Sequence, residues 1–266
     1  MVCDVSTATG YYRGRHLRAP DIDAWMVAAR RYLPGAGGRA LDLGSGTSDA
    51  NLGPATTASR RRNTCRIATR AGPGSSSGRF TVALAEATGA KVVACEPSGA
   101  MRAVCRAACP GHPIVGGAAQ ATPFRAGVFD AIWASQVVHH VDDLAAFAGN
   151  VCRVLKPGGH LLLRGGFGPP GELPLYRYVP EAWPPGKERT LSQISEVLAA
   201  AGLHQSQHVQ VEQVLAESPD EFIDRARSRS LSNLAGLADS VFQSGLRVME
   251  QHAGEGGMQD RTVFHN

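Results

Sequence analysis

Between Arg39 and Arg164, short apolar runs alternate with longer amphipathic stretches. The runs are Arg39 to Leu43, Lys91 to Glu96, Ile114 to Gly117, Phe129 to Ala134 and His160 to Arg164. Each is too short for a helix and apolar on both faces, as expected of a strand buried on both sides. The stretches Ile22 to Leu33, Arg79 to Thr88, Gly99 to Ala108 and Leu144 to Leu155 read as helices. In the last, Leu144, Phe147, Ala148, Val151, Val154 and Leu155 keep a helical period. Lys156-Pro157-Gly158-Gly159 is the expected stop. Strand and helix in alternation predict an α/β fold, a mostly parallel sheet with helices on both faces.

Beyond this core the pattern changes. Gly165 to Arg189 contains six Pro and five Gly, with Phe167, Tyr176, Tyr178 and Trp183 among them. It reads as a long ordered loop, and such loops are usually lids or binding loops. Thr190 and Gln193 form a capping box for a helix over Leu191 to Ala201. Ser218-Pro219-Asp220-Glu221 opens another helix, with Pro at its first position. Val209 to Leu215 alternates like a strand, and Thr262 to His265 reads as a closing edge strand. The expected total is seven strands.

Ser48 to Ser77 fits neither period. It is rich in Arg, Thr, Ser, Gly and Ala, which is the composition of a solvated, disordered insertion. It also carries the charge asymmetry. Its five Arg and one Asp account for the net +4, leaving 22 basic and 22 acidic residues elsewhere. No basic face is therefore expected on the body of the protein, and a nucleic-acid partner is not. Cys105 and Cys109 lie four apart on a helix with no second pair near them, so they read as small packing residues and no metal is expected. No apolar run approaches a membrane span, and the N-terminal residues have no apolar stretch of the signal-peptide kind. The expectation is a single cytoplasmic domain over 1–266, with an insertion at 48–77 and a lid at 165–189.

The chemistry begins where the first strand ends. Ala40-Leu41-Asp42-Leu43-Gly44-Ser45-Gly46-Thr47 runs a buried strand into Gly-x-Gly, a turn that brings backbone close to a ligand. A dinucleotide fingerprint would put a third Gly at position 49, which is Asp. Joining Thr47 directly to Gly78 restores Gly-x-Gly-x-Gly leading into a helix. Glu96 then stands at the end of the next strand, 18 residues beyond Gly78. A carboxylate there can accept both ribose hydroxyls of a nucleoside cofactor.

With this splice the chain resembles the class I S-adenosylmethionine-dependent methyltransferases of the small-molecule, type 11-like kind. Gly117 to Phe124 resembles the family's adenine-flanking segment, Phe129 to Gln136 its fourth strand, and Arg153 to Gly159 its turn before the fifth. Val137 to Val141 also matches a frequent family form. The resemblance implies a Rossmann-like, mostly parallel seven-stranded sheet and S-adenosyl-L-methionine as cofactor. It implies that Asp42, Gly44, Ser45, Gly46 and Gly78 belong to the cofactor site, with Gly44, Ser45 and Gly46 passing the methionine part. Glu96 would hold the ribose, and Pro97 and Met101 would flank the adenine. Ala119 would offer its amide to the adenine edge. Ala118 stands where the family often has an acid that receives the adenine amino group. Ser135 and Gln136 would line the sulfonium side, and Tyr11 and Tyr12 would belong to an N-terminal cap.

The function implied is methyl transfer to a small-molecule acceptor, at O, N or C, by in-line displacement. His139 or His140 is the candidate base, needed only if the acceptor must lose a proton. The alternative is a catalytically impaired methyltransferase-like fold that binds or scaffolds, because residues 48–77 split the glycine loop.

Overall fold

Helix boundaries follow local chemistry. The computed structural model describes residues 17–45, 78–165, 167, 174–182, 189–229, 234, 236–258 and 262–265. Tyr11, Tyr12, Gly46, Thr47, the 48–77 insertion and Trp183 lie outside them. Helix α1 spans Ala19–Ala29 and passes into a tight turn at Arg30–Tyr32. Helix α2 (Arg79–Thr88) starts after Gly78 and stops at Gly89, both left-handed. Gly89 closes the last turn with its amide 2.8 Å from the Ala85 carbonyl, a conformation that glycine adopts at little cost. Helix α3 covers Gly99–Ala108, with Ser98 as its cap. Asp143 caps α4 (Leu144–Val154) by accepting the Ala146 amide at 2.9 Å. The Thr190–Gln193 capping box opens α5 (Leu191–Ala200). Ser218 and Pro219 open α6 (Pro219–Arg227), and α7 runs over Asp239–Gly254.

The parallel sheet has five strands: β1 (Arg39–Leu43), β2 (Lys91–Cys95), β3 (Ile114–Val115), β4 (Phe129–Ser135) and β5 (Leu155–Arg164). Their order is β3-β2-β1-β4-β5. Ala40, Val92 and Trp133 bury against α1 and α2, through Trp25, Phe80 and Leu84. Leu41, Leu43, Ile132 and Ala134 bury on the other face with Phe147 and Val151 of α4 and Ile194 of α5. Both faces are covered, as the continuous apolar strands require.

Two expectations are corrected. Seven strands are described, but not as one sheet: β6 (Glu212–Ala216) and β7 (Thr262–His265) pair antiparallel with each other, apart from the five. Strand alternation reveals that a strand exists, not which strand it pairs with. The Lys156-Pro157-Gly158-Gly159 stop is the second. Helix α4 does end before it, but β5 starts at once at Leu155, and the four residues form an irregularity within the strand. Phe129 pairs with Leu155 and Ala131 with His160, so extra residues bulge out, with Gly158 at φ 75°.

A second apolar core lies away from the sheet. Leu175, Val179 and Ala182 of the 165–189 loop pack there with Phe222 and Ile223 of α6 and Phe242, Leu246 and Met249 of α7. Two tight turns, Pro174–Arg177 and Pro180–Ala182, shape this part of the loop. Tyr178 is anchored on α7, its hydroxyl 2.8 Å from His252 Nδ1. The loop packs closely on Gly245 of α7: a Cβ there would stand 2.5 Å from Val179 Cγ2 and 3.0 Å from the Tyr178 carbonyl. Gly245→Ala gains about 1 kcal/mol of helix propensity. It also overpacks a contact whose partner is fully buried, at about 1–3 kcal/mol. The expected net result is a melting temperature lowered by a few degrees, and a rise would mean that the loop yields freely.

Candidate functional site

The strand order reverses at β1. From β1 the chain winds outward to β2 and β3, then returns to place β4 on the other side. In open parallel sheets a crevice forms at such a point, beyond the carboxyl ends of the strands. The residues gathered there are Asp42 near the end of β1 with Gly44 and Ser45 after it, Glu96 after β2, Gly117 to Ala119 after β3, and Ser135 at the end of β4 with Gln136 after it.

The glycine loop is folded tightly. The amides of Gly44 and Ser45 both donate to the Cys95 carbonyl, at 2.8 and 3.3 Å, tying the loop to the end of β2. Gly44 has φ 72°, and a Cβ on it would collide with Val137. Only glycine satisfies both conditions. The Gly78 amide donates to the Ser45 carbonyl at 3.2 Å. Residues 33 apart in sequence are thus neighbours at the site, and α2 begins where the spliced reading requires.

Glu96 is fully buried at the end of β2. Its Oε1 accepts the Ser98 amide at 2.8 Å. Arg102 of α3 donates to the carbonyls of Glu96 and Pro97, at 2.9 and 2.7 Å, and so fixes the bend that presents them. Met101 is fully buried beside this bend, and Pro97 is half-buried.

Asp42 is buried at the end of β1, its Oδ2 accepting the Thr81 hydroxyl at 2.6 Å. Burial pushes its carboxyl up to about 7, the Thr81 hydrogen bond opposes this, and the nearby Glu96 adds to it. The sign follows. The unfolded chain releases this proton near pH 4, about the usual aspartate value, and the folded chain holds it up to about 7. In that window the folded state binds more protons, so this group's contribution to stability falls as pH rises. Asn can still accept from Thr81. Asp42→Asn is therefore expected to melt several degrees above the parent at pH 8, and level with it at pH 4. A melting difference independent of pH would show that Asp42 stays ionised in the fold.

On the β4 side, Ser135 Oγ accepts from Arg164 Nη1 at 3.0 Å. Arg164 is itself buried, lies 4.9 Å from the Trp25 ring centre, and also donates to Gln213 of β6. Gln136 has φ 57°, uncommon for a residue with a side chain, and its amide donates to the Arg164 carbonyl at 2.7 Å. Strain of this kind concentrates at functional turns. His139 and His140 follow in the tight turn Val138–His140, half-buried, with ring centres 3.8 Å apart.

After β3, Ala118 is exposed and bridges to Ala121, and Ala119 is half-buried. Cys105 on α3 and Cys109 just after its end are buried packing residues. Cys105 Sγ lies 3.6 Å from Ser45 Oγ, and burial pushes the two thiols up to about 12 and about 11.

The structure thus brings together Asp42, Gly44, Ser45, Gly78, Glu96, Pro97, Met101, Ala118, Ala119, Ser135, Gln136, His139 and His140 at one end of the sheet. Tyr12 and Gly46 lie outside the described residues. Sequence reasoning missed Thr81, Arg102, Asn150 and Arg164, the polar groups that hold the site residues in place. For Asn150 there was a signal: a polar residue between Phe147 and Val151 in the apolar stripe of α4.

These features suit a nucleoside with a charged amino-acid tail. A buried carboxylate stands at one strand end, a glycine turn with no room for a side chain at the next, and a strained residue, Gln136, follows β4.

Comparisons with known proteins agree. A family model described as a methyltransferase domain matches residues 71–163. Uncharacterized methyltransferases of Mycobacterium bovis and Mycobacterium tuberculosis are 32% identical over 156 residues, 59% of this chain and 49% of theirs. The chain spans about half the length of these curated relatives. Among solved structures, a candidate methyltransferase of an antibiotic biosynthesis pathway from Anabaena variabilis superposes with a TM-score of 0.64 at 18% identity. The match covers 92% of this chain and 90% of that one. The geranyl diphosphate C-methyltransferase of Streptomyces coelicolor, solved with Mg2+, geranyl diphosphate and S-adenosyl-L-homocysteine, gives 0.50 at 16% identity, over 87% and 74% of the two chains. By its matched domain and by its fold, the chain is similar to the class I S-adenosylmethionine-dependent methyltransferases.

Proposed function

We propose that this chain transfers a methyl group from S-adenosylmethionine to a small, partly hydrophobic acceptor. The observation that carries the reading is the Gly78 amide on the Ser45 carbonyl, beside the buried Glu96. Ser45 and Gly78 are far apart in sequence and are hydrogen-bonded neighbours in space. The scaffold alternative rests on the interruption, and this hydrogen bond bridges it.

When bound, S-adenosylmethionine supplies a methyl group activated by its sulfonium charge, which an oxygen, nitrogen or carbon nucleophile of the acceptor takes by in-line displacement. The protein's own work is alignment and exclusion of water. Gly44, Ser45 and Gly46 would pass the methionine part, and Glu96 would hold the ribose hydroxyls. Pro97 and Met101 would flank the adenine, with the Ala119 amide at its edge. Ser135, fixed by Arg164, and Gln136 would line the sulfonium side. Tyr12 would complete an N-terminal cap. His139 or His140 would take the acceptor's proton where one must leave. The acceptor side is assigned to the 165–189 loop, whose described part is held on α6 and α7. Among the described residues no helix is long and apolar enough to cross a membrane, which suits an acceptor met in water.

Calorimetric titration of the full chain with S-adenosylmethionine tests the reading. Saturable one-site binding is expected, and its absence at millimolar cofactor would sink it.

A further inference from the structure

The 117–124 loop is the part of the site with the least chemistry of its own. The Ala118 side chain has no group to receive an amino hydrogen, its carbonyl already takes the Ala121 amide at 3.0 Å, and Ala119 offers only backbone. Backbone groups discriminate between ligands only where the loop that carries them is held in one shape. Here the holding comes from the neighbouring helix α4. Asn150, 7% exposed, donates from Nδ2 to the Ala119 carbonyl at 2.9 Å. Its Oδ1 accepts the Thr122 amide at 3.3 Å and the Thr122 hydroxyl at 3.2 Å. Arg153, one turn on, donates to the same Oδ1 at 2.7 Å, and to the carbonyls of Thr122 at 3.0 Å and Phe124 at 2.5 Å. One buried amide thus grips both ends of the stretch Ala119 to Thr122, and an arginine locks that amide's orientation. The grip is rigid because α4 is capped by Asp143 and buried along Phe147, Val151 and Val154.

We propose that Asn150 is the positioning residue for base recognition: by fixing the Ala119 carbonyl it holds that residue's backbone, and with it the Ala119 N–H on the preceding peptide unit, which reads the Watson–Crick edge of the cofactor's adenine. The inference rests on the methyltransferase reading of the site. Asn150 itself touches no cofactor. It acts through Ala119, and the adjacent alanine at 118 leaves base discrimination to this one peptide. Adenine presents an acceptor nitrogen at N1. Hypoxanthine presents an N–H donor there, which a fixed amide rejects and a loose one tolerates.

The test is calorimetry on the full chain with S-adenosylhomocysteine and S-inosylhomocysteine, for the parent, Asn150→Ala and Asn150→Asp, with the melting temperature of each. The parent should prefer the adenine compound about tenfold, the worth of one well-placed hydrogen bond. In Asn150→Ala the preference should shrink to about twofold, by loss of affinity for the adenine compound. Asn150→Asp keeps the Oδ1 acceptor for Thr122 and Arg153 and lacks the Nδ2 donor, which serves the Ala119 carbonyl and, at 3.1 Å, the Thr122 hydroxyl. It should remain folded and still lose the preference. If the parent binds neither compound, the methyltransferase reading and this inference fall together. If the parent binds both equally, or if Asn150→Asp keeps the parent's preference, the inference alone is overturned. Parallel weakening of both compounds in Asn150→Ala, with Asn150→Asp unchanged, would reduce Asn150 to a structural role and also overturn it.

Discussion

Deleting Ser48 to Ser77 is expected to raise the melting temperature by about 5–10 °C and to tighten S-adenosylmethionine binding about fivefold to tenfold. The reasoning starts from the Gly78 amide on the Ser45 carbonyl at 3.2 Å. In the deleted chain Ser45, Gly46, Thr47 and Gly78 become four consecutive residues. The existing hydrogen bond is then the bond between first and fourth residues of a β-turn, with glycine at the favoured fourth place. The same geometry is reached with no long excursion to close. Closure entropy grows as the logarithm of length, so removing the excursion returns about 2–3 kcal/mol. A domain of this size gains about 2–4 °C per kcal/mol. The segment's composition is that of a solvated loop, so little packing is lost with it. Binding tightens because only two residues then join Ser45 to Gly78, so this stretch has fewer conformations to lose when the ligand binds. Melting and calorimetry on the full and deleted chains, side by side, decide the matter. A deleted chain that melts lower, or no longer binds, would make the segment an integral wall of the site.

The same hydrogen bond shows how far local reading reached. β1 and its glycine turn were legible because an apolar strand entering Gly-x-Gly leaves the backbone few options. Helix α2 was legible to the residue, since glycines bound it at both ends. The closeness of Ser45 and Gly78 followed from pattern rather than from periodicity, since the residues between them carry none. What stayed hidden depends on contacts between distant segments. β5 takes up its bulge because Ala131 must reach His160, a constraint imposed by β4. Asn150 and Arg164 read as ordinary polar residues until the fold turns their side chains onto groups about thirty residues away, and Arg102 until the bend before α3 brings the carbonyls of Glu96 and Pro97 to it. The separate pairing of β6 and β7 is of the same kind.

Glu96→Gln is expected to lower S-adenosylmethionine affinity about tenfold to a hundredfold, the largest effect of any single substitution at the site. Hydrogen bonds to a charged acceptor are worth about 1.5–3 kcal/mol each, roughly twice neutral ones, and two ribose hydroxyls share this carboxylate in the proposed complex. Burial raises the stakes, since Glu96 is fully enclosed and the low local dielectric strengthens each bond it makes. The carboxylate also has a structural duty, because Oε1 takes the Ser98 amide at 2.8 Å. Alanine would remove both roles at once and confuse them. Glutamine keeps an oxygen for Ser98 and loses the charge, so its melting temperature should stay within a few degrees of the parent while affinity falls. Methyl transfer at saturating cofactor should then recover most of the parent's rate, since the loss lies in binding rather than in the reacting atoms. A Glu96→Gln chain that binds as tightly as the parent would remove Glu96 from the cofactor site. One that binds weakly only because it melts far lower would leave it as a strut for the bend before α3.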